Sequence, residues 1–157
     1  MSSEHPAITS FRDDLHRRGG TGDVVILPDS VHTAALAAEA LGCEVGAVAN
    51  SLVFDTGGTP ALILTSGAHR VDTAKVADRI GVERLDRASP AFVRQHTGQV
   101  IGGVSPLDHP APVPTWIDSW LRRFDVVWAA AGHPAAVFST TFEELVAMTG
   151  ASEIEVD

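Results

Sequence analysis

Apolar positions recur along this chain at two periods, and the switches between them divide it into elements. In "ITSFRDDLHRRGG", Ile8, Phe11 and Leu15 fall at helical spacing and Gly19-Gly20 ends the run, which predicts a first helix. "DVVILP" reads as a short strand stopped before Pro28. "TAALAAEALG" predicts a helix capped by Thr33 and ended by Gly42. In "GAVANSLVF", residues 46–54, helix-tolerant residues give way to a turn at Asn50 and then to an apolar strand on which Leu52 and Phe54 share a face. "SLVFDTGGTPALILTSG" predicts two strands about a Gly-Gly turn. "DTAKVADRIG" is a capped helix closing at Gly81, "ERLD" a brief strand, and "SPAFVRQHTG" a helix with Ser89 as cap and Pro90 at its first position. Strands near "PTWID", "DVVWAAA" and "AAVFST", a helix "TFEELVAMTG" and a last strand "SEIEVD" complete the chain.

Strands therefore occur both in hairpins and separated by helices. That mixture predicts an α/β (α+β) fold with a mixed sheet and helices packed around it, in preference to a regular doubly wound parallel sheet. At 157 residues and 45% hydrophobic, with apolar segments throughout, the chain fits one domain, 1–157, around a single core. The N-terminal segment has no apolar heart of the kind a signal peptide needs, and no run approaches the roughly 20 apolar residues of a membrane span. With a lone Cys43 and therefore no internal disulfide, the expected location is cytoplasmic. A formal charge of −9, from ten arginines and one lysine against twenty acids, leaves no basic stripe for phosphates, so contact with nucleic acid is expected to be small or assisted by a partner.

The familiar catalytic signatures are missing: no GxSxG elbow, HExxH, P-loop or paired CxxC occurs. The histidines at 5, 16, 32, 69, 96, 109 and 133 are never three or four apart, so neither metal nor other cofactor is expected, and most read as surface residues. "TGQVIGGVSPLDHP", residues 97–110, carries the most chemistry. Its adjacent glycines let a ligand approach the backbone, and Val100, Ile101 and Val104 around them suit a buried loop lining a pocket. Its amides could hold an oxyanion without any catalytic side chain; the alternative is a tight turn between two elements.

From about "HTAALAAEALG" to the C-terminus, the chain resembles the YbaK family, also described as aminoacyl-tRNA synthetase-associated domains. That family includes free-standing aminoacyl-tRNA deacylases and the editing insertion of bacterial prolyl-tRNA synthetases. The resemblance is carried in order by "TAALAAEALG", "VANSLVF", "SGAHRVDTAKVADRIG", "RASPAFVRQHTGQVIGGVSPLDHP", "TWIDSWL", "WAAAGHPAAVF" and "FEELVAMTGA". It implies a mixed, strongly bent sheet or partial barrel flanked by helices, and hydrolysis of the ester joining a wrongly attached small amino acid to the terminal ribose of a tRNA. Such members lean on a synthetase or translation factors for tRNA, which tolerates an acidic chain. Carried over by position, Gly102, Gly103, Val104, Ser105 and Pro106 match the family's GxxxP loop and would cradle the ester. Asn50 falls at the main catalytic position, with Ser51 beside it. Asp118, Gly132 and His133 match positions next to the pocket, and His32 lies at its edge in the family layout. Local alternatives exist: Asp118 can cap the segment "SWLRR", and His133 can be an exposed turn residue.

The departure is at Asn50, where many members have "KSL" or "KTL". An asparagine donates and accepts hydrogen bonds but brings no charge to a phosphate. The only lysine, Lys75, sits in a different helix. Three readings stay open: an active deacylase, a non-catalytic module binding an aminoacyl or nucleotide group, and a synthetase-interacting protein. Trp116 and Trp120, four apart, could form a partner surface or pack in the core. The sequence does not rank the candidate amino acids or set the oligomeric state.

Overall fold

A computed structural model describes residues 4–28 and 33–157. His32, expected at the pocket edge, lies outside the described residues. The elements run α1 (Pro6–Arg17), β1 (Val24–Ile26), α2 (Ala34–Leu41), β2 (Val48–Asp55), β3 (Pro60–Ser66), α3 (Thr73–Ile80), β4 (Asp86–Arg87), α4 (Pro90–Thr97), β5 (Thr115–Asp118), β6 (Val127–Ala130), β7 (Ala136–Thr140), α5 (Phe142–Thr149) and β8 (Ser152–Ile154). Short 3₁₀ turns precede β2 at Val45–Ala47 and follow β5 at Ser119–Arg123.

Helix boundaries follow local chemistry. The side chains of Thr33, Asp72, Ser89 and Thr141 each accept a backbone N–H from the first turn, satisfying a donor the helix cannot. Gly42, Gly81, Gly98 and Gly150 close the same four helices in the left-handed conformation that a side chain would strain. At the β2–β3 hairpin, the Asp55 carboxylate accepts the N–H groups of Gly57 and Gly58 at 2.9 and 2.6 Å.

One sheet of eight strands runs β1-β7-β6-β2-β3-β5-β8, with β4 attached to β2. It is mixed: the pairs β1–β7, β7–β6, β2–β3 and β2–β4 are antiparallel, while β6–β2, β3–β5 and β5–β8 are parallel. Asn50 does not make the expected turn. The strand starts two residues earlier, because Val48 and Ala49 already pair with Trp128 and Ala129 while Asn50 faces Thr65 across β3. Pairing on both edges outweighs the turn tendency of asparagine, and the expected helix end upstream is a 3₁₀ turn. The strand expected over "ERLD" shrinks to Asp86–Arg87.

Side chains alternate across a strand, so Ala49, Ser51 and Val53 face one side of β2, and Val48, Asn50, Leu52 and Phe54 the other. The first side meets the main core, where Phe11 and Leu15 of α1, Val104, Leu107 and Leu145 pack on Leu62 and Leu64. Each such fully buried side chain contributes about 2–3 kcal/mol. On the second side, α3 covers Phe54 and Ile63 through Val76 and Ala77, and α2 covers Val137 through Ala37. Asn50 and Thr65 lie in the sheet between those two patches.

Candidate active site at the open edge of β2

β3 pairs with one edge of β2 continuously from Ala49 to Asp55. The opposite edge is shared: β6 takes Val48 and Ala49, and β4 takes Phe54 and Asp55. From Asn50 to Val53 that edge has no strand partner among the described residues, an opening of about 13 Å at strand spacing. It arises because β6 ends at Ala130 and the chain leaves the sheet through Ala131–Ala135 before returning as β7.

The glycine loop docks on that exit. A Cβ built on Gly103 would stand 2.7 Å from the Pro134 nitrogen and 2.8 Å from the His133 carbonyl carbon, so only glycine lets the two backbones meet this closely. Gly132, at φ +86°, turns the exit loop against α1, where a Cβ would come within 3.2 Å of the Ala7 carbonyl. The His133 ring packs tilted against His5, centroids 4.5 Å apart, and its Nδ1 accepts the Ala135 N–H at 3.0 Å. The loop residues Gly102 to Pro106 and the pair Gly132–His133 are thus brought together, and Asn50 and Ser51 lie on the neighbouring strand. No hydrogen bond joins Asn50 to the glycine loop among the described residues.

The amides divide by use. The Gly103 N–H already closes a turn onto the Val100 carbonyl at 2.9 Å. Ser105 is wholly structural: its N–H donates to Gln99 Oε1 at 2.7 Å and its hydroxyl to the Leu107 carbonyl. The N–H groups of Gly102, Val104, Gly132 and His133 have no acceptor among the described residues. Val100 and Ile101 are exposed rather than lining a buried loop; Val104 alone of the three turns into the core. Gln99 makes the difference, since its amide ties Ser105, Leu107 and Asp108 beneath the loop and leaves the apolar pair outside.

Buried side-chain oxygens tell the same story. Among the described residues only two lack a hydrogen-bond partner, Ser51 Oγ and Thr65 Oγ1. One is the chain neighbour of Asn50 and the other its cross-strand partner. An unpaired buried hydroxyl costs about 1–3 kcal/mol; Ser51 turns to the core side of β2, whereas Thr65 shares the face of Asn50, so Thr65 is the hydroxyl there that a group from outside the protein could partner.

Asp118 completes a polar row. Ile117 pairs with Leu64, so Asp118 is level with Thr65 and Asn50 and on the same face, two strands and about 10 Å from Asn50. It is 1% exposed and accepts three donors: the Ser66 N–H at 3.0 Å, His69 Nδ1 at 2.8 Å and the Trp120 N–H at 3.0 Å. It therefore caps the following turn, as local chemistry allows, and also orients His69. Nothing in the sequence marked His69 or Thr65, because both owe their places to β3 pairing with β2 and β5.

Two other features bear on the chemistry. Burial pushes the Cys43 thiol up, away from the thiolate a nucleophile needs. A surface cavity of about 320 Å³ lies on the α1 and α4 side of the glycine loop, between Ser10, Gln99 and His109, and contains none of the expected site residues.

The fold is that of an aminoacyl-tRNA editing domain, a class of hydrolase acting on aminoacyl-tRNA. Residues 28–148 match the family described as the aminoacyl-tRNA editing domain, and the chain belongs to that family. It is 29% identical over 140 residues to the uncharacterized protein YwhH of Bacillus subtilis, covering 88% of each chain. It is 23% identical over 120 residues to a candidate Cys-tRNA(Pro)/Cys-tRNA(Cys) deacylase, EbsC of Enterococcus faecalis, covering 76% of this chain and 73% of that one. A crystal structure of a candidate trans-editing enzyme for prolyl-tRNA synthetase superposes with a TM-score of 0.93, at 41% identity and 99% coverage of both chains. The mixed, open sheet with its flanking helices is the fold that the family resemblance implied.

Proposed function

We propose that this chain acts in trans as a deacylase of mischarged tRNA bearing a small amino acid, working in the cytoplasm on tRNA presented with the help of a synthetase. The observation that supports this reading is the open edge of β2, which leaves Asn50 without a strand partner on that side among the described residues, beside Thr65, whose buried hydroxyl has no partner there. Asn50 takes the family lysine's place and hydrogen-bonds the ribose or ester carbonyl. His133, Gly132 and the loop from Gly102 to Pro106 surround the ester, with Asp118 acting from the Asn50 face through the His69 it orients and Ser51 supporting β2 from the opposite face. The free amides supply the oxyanion site. Water oxygen bonds to the ester carbonyl carbon, the carbon–ribose oxygen bond breaks, and the proton from water ends on the ribose hydroxyl. An activated ester needs little beyond a positioned water and a stabilised oxyanion. The likenesses to a candidate trans-editing enzyme for prolyl-tRNA synthetase and to a candidate Cys-tRNA(Pro)/Cys-tRNA(Cys) deacylase support tRNA(Pro) carrying a small amino acid as the substrate to test first.

The neutral Asn50 also favours a second reading, a module that binds the aminoacyl end without turning it over. A panel of mischarged tRNAs decides between them. Wild type is expected to deacylate at least one member above background, and Asn50→Ala to slow that reaction by about 10- to 100-fold, the value of one strong hydrogen bond. A silent wild type that gains activity as Asn50→Lys would sink the deacylase reading and support the binding module.

A further inference from the structure

Beyond the ester site, the polar row ends in a cluster of three planar groups, of which Trp120 and Arg123 reach the surface and His69 is half-buried. Asp118 pins His69 by its Nδ1, and the His69 ring lies 4.9 Å from that of Trp120. The Arg123 guanidinium sits over the same indole, 3.0 Å from its centroid. Trp120 is 36% exposed, although it lies in a short turn whose Leu121 is fully buried. Its position is fixed from below, because the Asp118 carboxylate accepts its N–H. Neighbouring Arg122 is neutralised by Glu153 and Glu143, whereas Arg123 has no acidic partner among the described residues. Arg70, next to His69, is exposed as well.

We propose that His69, Trp120 and Arg123 form a stacking platform for the unpaired 3′ end of tRNA; this rests on the editing reading of the Asn50 site. Single-stranded RNA is recognised by stacking unpaired bases on aromatic rings and guanidinium planes, and every base offers a face for it. The cluster stands on the same sheet face as Asn50, about two strand spacings away, which the nucleotides preceding the ester can span. A base adds as the next layer on the Arg123 guanidinium, or takes its place on the indole, and the freed cations meet the flanking phosphates. The mode suits this chain: at a formal charge of −9 it cannot hold RNA by a broad basic surface. The preformed cluster, with the His69 ring tilted by 55° against the indole, costs little ordering on binding, because Asp118 already holds His69 and Trp120.

Fluorescence anisotropy with two acceptor-stem minihelices, one ending in an unpaired CCA and one blunt, tests the platform. Trp120→Ala is expected to weaken the CCA-ended minihelix on the order of tenfold and to leave the blunt one unchanged. Trp120→Phe should keep most of the affinity, and Arg123→Gln, at an exposed position, should lose part of it with an unaltered melting temperature. Equal binding of the CCA-ended minihelix by wild type, Trp120→Ala and Arg123→Gln overturns the platform. The deacylation panel separates the two ideas. A wild type that hydrolyses nothing, yet binds the unpaired end through Trp120, keeps the platform and loses the deacylase. One that hydrolyses with KM unmoved by Trp120→Ala and Arg123→Gln loses the platform alone.

Discussion

Asn50 and Thr65 face each other across the β2–β3 ladder, and what each does depends on the other. A lysine at position 50 would carry its own charge to a phosphate or ribose. An asparagine reaches less far and needs a neighbour to share the polar work, which the unpaired hydroxyl of Thr65, on the same face, is placed to do. Thr65→Val removes one hydroxyl at nearly constant shape. Because that hydroxyl has no partner in the protein, the variant should melt no lower than wild type and up to a few degrees higher. Deacylation should nevertheless fall by about tenfold, and Thr65→Ser should restore it. Unchanged turnover in Thr65→Val, measured beside the melting curve, would remove Thr65 from the site. The asparagine itself was legible as an anomaly in "VANSLVF", but its partner was not. Nothing near Thr65 in sequence says that it will lie opposite Asn50, since a one-residue shift of register would have put Leu64 there.

At the scale of elements, the loop from Gln99 to Pro110 is held from beneath by a buried network that includes His109. Its Nε2–H donates to the Ser105 carbonyl at 2.9 Å. Burial, the largest influence, pushes the His109 imidazole below its ordinary value; the Ser105 carbonyl opposes this, Arg18 adds to it, and Asp108 and Asp14 oppose it. With a folded pKa below the unfolded one, the unfolded chain binds more protons between the two values. The stabilisation is therefore complete above about pH 6.5 and is lost as pH falls through the lowered folded value. Urea melts at pH 7.5 and 5.5 should show wild type weakening at the lower pH, and His109→Gln, which keeps a donor but does not titrate, should weaken less. A pH response equal in both would remove His109 from the account. Helix ends in this chain were readable because a cap and the turn it serves are adjacent in sequence, as at Thr33, Ser89 and Gly42. The start of β2 was not, because its first two residues are recruited by β6, some eighty positions further along.

For the whole molecule, charge governs how RNA is met. If Arg123 and Arg70 supply the phosphate contacts, two released counterions set the salt dependence of tRNA binding. A plot of log affinity against log salt should then have a slope of only about −1 to −2. A slope near −5 would reveal a cationic surface elsewhere and count against a stacking-led contact. The same scale explains the form of the site. The opening is a gap in one edge of a sheet, bordered by strands from distant parts of the chain, while surface hollows lie by α1 and by α3.

The sequence by itself determined the helices and their caps, the β2–β3 hairpin, the mixed class of sheet, the glycine loop and the oddity of Asn50. All of these rest on interactions between residues close in the chain or on periodicities that a short window contains. Only the tertiary structure decided that Asn50 lies within a strand, that one edge of that strand stays open for four residues among the described residues, and that Thr65 and Asp118 share its row. It also decided that Asp118 holds His69 and Trp120 together. Those facts depend on register between strands remote in sequence, and register is chosen by the packing of the whole core rather than by any segment within it.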